Sequence, residues 1–300
     1  MSPPEQLQSS STTSTTSTAN PALWLRIGYE FIFEFPRPTP MVLLLYVHPD
    51  RAGNLIQSES LALDPIVPVE DFFDAFGNRC ARLIAPAGQI RITNDTLIAD
   101  TGHPDARDVL AVQNPVENLP ASALPFLLGS RYCEIDRLSQ IAWDLFGKVP
   151  PGWQRVQAIC DWIHANVQFG YKFARNNKTA LDTFTERCGV CRDFMHLAIT
   201  FCRAMNIPAR YATGYLSDIG ETIPDPTPMD FSAFLEVYLG NQWWPVDARH
   251  NCPRIGRVLM ARGRDAVDVA LTTSFGPSRL MKFKVITEPA AAPGELRKAG

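Results

Sequence analysis

Arg187-Cys188-Gly189-Val190-Cys191-Arg192-Asp193-Phe194 is the stretch that decides how this chain of 300 residues is read. A glycine turn delivers a cysteine to the first turn of the most strongly patterned helix in the sequence. That helix is predicted over 191–205, where Phe194, Leu197, Ala198, Phe201, Cys202 and Met205 form one stripe, and Asn206 ahead of Pro208 ends it. Unpaired N–H groups and the positive end of the helix dipole favour thiolate over thiol, so the position predicts a lowered pKa for Cys191. The same N–H groups suit the oxyanion formed when a thiolate attacks a carbonyl. Cys188, before the turn, is the worse-placed thiol.

Three strands are expected after this helix: Ala209–Leu216, Ser232–Leu239 and 242–248, with Gly240 and Asn241 as a hairpin turn because both tolerate positive φ. Two helices are expected before it. Leu138, Ile141, Ala142 and Leu145 recur at helical spacing within Ile135–Phe146, and Val156, Ile159, Cys160, Ile163 and Val167 do so over 156–167. Further upstream the period changes. In Arg26-Ile27-Gly28-Tyr29-Glu30-Phe31-Ile32-Phe33-Glu34, Ile27, Tyr29, Phe31 and Phe33 share one face, as in a half-buried strand. Short runs of this kind separated by Pro and Gly turns read as a β-sandwich. The fold class is therefore α+β, divided into a Ser/Thr-rich tail (1–20), a β-rich domain (21–125), a helix-then-sheet domain (126–290) and a C-terminal tail (291–300).

A thiolate nucleophile works with a base that a third group orients. Two later segments look like that support: Asp230-Phe231-Ser232-Ala233-Phe234, and Trp243-Trp244-Pro245-Val246-Asp247-Ala248-Arg249-His250-Asn251. With the Gly189 to Phe194 motif, they resemble the bacterial transglutaminase-like proteins of the papain-like cysteine fold, over about residues 130 to 275. The β-rich part is similar to the N-terminal domain that often accompanies that catalytic domain. The resemblance implies Cys191 as nucleophile, Asp247 as the orienting acid, a thioester intermediate, and release to water or to an amine. It implies a protein or peptide substrate and no cofactor.

One position departs from the family. Where a typical member carries His within D-x-H-A-W, this chain has Ser232, whose hydroxyl is no base near neutral pH. Hairpin register, with Leu239 facing Gln242, predicts Ser232 opposite Arg249 and on the face of Asp247. Among the histidines, His196 lies roughly 140° round the helix from Cys191 and is expected to be packed away from it. His250, in a segment expected to leave the sheet, is the preferred substitute base, with His164 behind it. Two other readings stay open. Cys188, Cys191, His250 and Cys252 are zinc-ligand types, and a fold that has lost its base could bind peptides without turning them over.

The remaining features read more plainly. Trp243 and Trp244 are expected to fill core and cleft wall. Arg257, Arg262, Arg264 and Arg279 with Asp265 and Asp268 read as a solvated face, and Glu236 as buried and paired. With 28 Lys+Arg against 31 Asp+Glu, the net charge of −3 gives no clustered cation for nucleic acid. The apolar run Met41 to Val47 is far too short to cross a membrane. No secretory signal is visible, and the odd count of 7 cysteines implies reduced thiols in a cytoplasm. No acidic loop of the calcium-binding kind occurs.

Overall fold

The structure is a computed structural model that describes residues 23–220 and 229–292. Of the expected tails, 1–20 and 293–300 lie outside the described residues. The chain runs β1 (Leu23–Phe35), β2 (Thr39–Leu43), α1 (Pro49–Ala52), β3 (Ala62–Asp64), β4 (Val69–Phe73), β5 (Arg79–Ala85) and β6 (Gly88–Asp100). Then come α2 (Ile135–Phe146), α3 (Trp153–Asn166), β7 (Gln168–Phe169), α4 (Ala180–Glu186), β8 (Cys188–Gly189) and α5 (Cys191–Ala204). The last six strands are β9 (Ala209–Leu216), β10 (Ser232–Leu239), β11 (Gln242–Val246), β12 (Arg257–Gly263), β13 (Thr272–Ser274) and β14 (Arg279–Ala290).

Two antiparallel sheets, ordered β14-β1-β6-β3 and β13-β2-β5-β4, form the sandwich. Ile27, Tyr29, Phe31 and Phe33 of β1 are buried, as the alternation predicts, and they share one apolar cluster with Met41 and Leu43 of β2 and Leu83 of β5. The closing strands come from the far end of the chain: β14 pairs along β1 from Trp24↔Ala290 to Glu34↔Arg279, and β13 pairs with β2. These strands, expected with the 126–290 domain, are thus shared with the first. β1 has two edges, of which β6 covers one and β14 the other.

The third sheet, ordered β11-β10-β9-β12, carries α5 on one face. Ala233, Leu235, Val237 and Leu239 of β10 point into the helical core, and Ser232, Phe234 and Glu236 alternate to the other side. The hairpin forms as expected, with φ of 57° at Gly240 and 68° at Asn241 and Leu239 opposite Gln242. β11 nevertheless stops at Val246. Asp247 Oδ1 accepts the N–H groups of Arg249 and His250 at 3.0 Å each, and this Asx turn lifts the chain out of the sheet. The expected Ser232–Arg249 pair therefore does not form.

α5 is buried from Asp193 to Ala204, on every side and not only along its apolar stripe. α2, α3 and α4 surround it. Burying Arg203 is tolerable because its guanidinium donates to the carbonyls of Ala209 (2.9 Å), Leu128 (2.9 Å) and Arg264 (2.6 Å). It ties three connections to the back of the helix. Glu236 is buried and paired as expected, with Arg210 and with Arg262 at 2.8 Å.

Candidate active site

The Gly189 to Asp193 motif is a built helix start. β8 pairs parallel to β7 with Gln168 opposite Cys188 and Phe169 opposite Gly189, which fixes the turn. The fully buried Asp193 folds back so that its Oδ2 accepts the N–H of Val190 at 3.0 Å, and Arg192 neutralises its Oδ1 at 3.1 Å. Residue 189 must be glycine for this, because a Cβ there would come 2.7 Å from Asp193 Cβ. The turn needs no positive φ; it needs the space.

Cys191 opens α5 as expected and lines an open cleft, with Asp230, Phe231, Tyr211, Ala233 and Leu271 among its walls. Its thiol corrects one expectation. Burial pushes the pKa up and outweighs the backbone N–H groups of Ala233 and Arg192, which pull it down; Asp230 adds to the rise and Arg249 opposes it. The helix start acts in the direction the sequence suggests but loses to desolvation. The charged groups that bear on the sulfur are thus Asp230 and Arg249.

Asp247 is buried, and its four acceptor sites are filled. Oδ1 takes the two turn N–H groups. Oδ2 lies 2.9 Å from His250 Nδ1 and 3.1 Å from Arg257 Nη2. Burial works against the charge, but the His250 hydrogen bond and the Arg257 guanidinium hold the carboxyl well below the usual carboxylate range. Arg257 reaches on to Asp105 at 3.2 Å. It is buried, against the expectation of a solvated arginine, and belongs to the site.

Ser232, paired with Gly214, is 8% exposed, and its Oγ has no partner among the described residues. His250 leaves the sheet as expected and faces the acid. His196 packs away from Cys191, stacked on Tyr132, with its Nε2 accepting the N–H of Ala266 at 3.2 Å. His164 Nδ1 lies 2.7 Å from the carbonyl oxygen of Arg249. The zinc reading fails: among the described residues no three His, Cys, Asp or Glu side chains form a metal-holding group, and Cys188 instead meets Lys178. No disulfide joins the cysteines among the described residues. Trp243 and Trp244 pack as expected, Trp243 edge-on to Phe126 and Trp244 edge-on to Trp153. Sequence reasoning missed Asp230, Arg249 and Arg257; the first two stand inside quoted motifs, while nothing local marks Arg257.

A sequence model of the transglutaminase-like superfamily matches residues 140–248, which include Cys191, Ser232 and Asp247. The chain is similar to a candidate cysteine protease from Cytophaga hutchinsonii of known crystal structure, with 31% identity and a TM-score of 0.78 over 90% of this chain and 91% of that one. A solved periplasmic domain of TgpA from Pseudomonas aeruginosa aligns with 13% identity and a TM-score of 0.41 over 75% of this chain and 88% of that one. The uncharacterized protein ML0607 of Mycobacterium leprae is 29% identical over 117 residues, 38% of this chain and 42% of that protein. The chain thus matches less than half the length of that curated relative. No helix among the described residues is long and apolar enough to cross a membrane.

Proposed function

The chain belongs to the transglutaminase-like superfamily, a fold that supports cysteine-type acyl transfer and peptidase chemistry, and we propose that it processes amide bonds of a protein or peptide through Cys191. The observation that carries this reading is the Asp247 to His250 hydrogen bond of 2.9 Å, in a chain whose Cys191 opens the long helix α5. Asp247 fixes the imidazole through Nδ1, leaving Nε2 to take the thiol proton. The sulfur then attacks the substrate carbonyl. The first N–H groups of α5, which lack partners within the helix, receive the oxyanion. Return of the proton to the leaving amine releases it and leaves a thioester, which water or a second amine resolves. Because the resting thiol is raised, proton transfer accompanies attack rather than preceding it. The odd count of cysteines and the lack of any disulfide among the described residues suit a reducing compartment, and we place the reaction in the cytoplasm.

The test is replacement. Cys191→Ala is expected to lower amide or ester turnover at least ~10³-fold, and His250→Gln by ~10²-fold. Full activity in Cys191→Ala sinks the nucleophile; full activity in His250→Gln sinks the base. A second reading, a peptide-binding cleft without turnover, is favoured by Ser232 in the base position. It predicts peptide binding with no burst of released amine in the unmodified protein.

A further inference from the structure

On the proposed reading, proton transfer, and with it the leaving or incoming amine, belongs with Asp247 and His250. Cys191 lines a cleft walled by Ala233, whose side chain faces opposite to that of Ser232 along β10. That cleft is left for the acyl donor.

Both cations that line this cleft are tied to carboxylates, and Arg249, which opposes Asp230 at the sulfur, is not among its walls. Arg175 is tied to Glu186 at 2.6 Å and Asp182 at 3.3 Å, and Arg192 to Asp193 at 3.1 Å. Asp230 is different: half-buried, it accepts the N–H of Phe231 at 2.7 Å, and among the described residues it has no cationic partner. Residues 221–228 contain no Lys or Arg to supply one. Phe231, Leu271 and Val269 add apolar walls, which suit the aliphatic stem of a long basic side chain.

We infer that Asp230 is a specificity-determining residue that selects acyl donors carrying a Lys or Arg side chain beside the attacked carbonyl. The inference rests on Cys191 being the reacting thiol of this cleft. An arriving cation also offsets the Asp230 charge, which adds to the rise that burial chiefly sets, so the correct donor eases its own attack.

The experiment uses two thiol reagents of opposite charge, cationic 2-aminoethyl methanethiosulfonate and anionic 2-sulfonatoethyl methanethiosulfonate. Labelling of Cys191 in the full chain is followed by peptide mass spectrometry, and each rate is normalised to free cysteine. The cationic reagent is expected to be favoured on the order of tenfold. Asp230→Asn should bring the ratio near one while speeding the neutral reagent iodoacetamide, and Asp230→Glu should keep the preference. A ratio near one in the unmodified protein, or one that Asp230→Asn leaves unchanged, overturns the inference. These rates need no turnover. A tenfold ratio together with activity surviving Cys191→Ala would sink the proposed nucleophile and leave the charge selection standing.

Discussion

The guanidinium of Arg257 lies 3.1 Å from the carboxylate of Asp247, a buried cation shared with Asp105 on its other side. Asp247 keeps its charge in an apolar setting through this arginine and His250. Its carboxyl is held below its unfolded value, so its contribution to stability is complete above the unfolded pKa, about 3.9, and fades as pH falls through the folded value. Arg257→Met strands the charge. A loss of about 3 kcal/mol near neutral pH is expected, with acid unfolding starting at higher pH than in the unmodified protein. Urea titrations at a series of pH values check both; stability curves that stay parallel down to acid pH count against the linkage.

Restoring the family histidine tests the cost of its absence. Ser232 presents a buried hydroxyl, without a partner among the described residues, on the same face of β10 as Phe234. Ser232→His is expected to raise turnover ~10²-fold and to make His250→Gln nearly silent, because the new imidazole takes over the proton. Initial rates of the single and double variants decide. Should Ser232→His be slower than the unmodified protein and equally sensitive to His250→Gln, His250 is the base this site is built around.

Gly189→Ala probes the start of α5 without touching the sulfur. The added Cβ pushes Asp193 off the Val190 N–H. A helix cap of this kind is worth about 1 kcal/mol. The variant should unfold at lower urea by that amount and alkylate Cys191 at a changed rate; unchanged stability would mean that Asp193 moves without losing its bond.

Much of the fold is legible because its signals are local. The β1 alternation, the α5 stripe and the Gly240-Asn241 turn each lie within one element, and each appears where the spacing puts it. Cys191 and the Asp247–His250 segment are readable for the same reason. Illegible features are those set by distant partners. The thiol's upward shift depends on how much chain packs round the sulfur, which no spacing encodes. Arg257 looks like a surface arginine until β12 lays it beside Asp247. The turn at Asp247 hides in plain view: an Asp two residues before an N–H it can accept competes with the strand, and the alternation rule carries no warning of that competition.

The pairing of β14 with β1 has a consequence for how the molecule comes into being. A ribosome releases β1 early, yet its neighbour on one side is encoded more than two hundred residues later. The first sheet spends nearly the whole of synthesis with a bare border, while the cysteine-bearing half assembles behind it. Shortening the polypeptide before Arg279 would leave that border open for good, an invitation to strands from other copies.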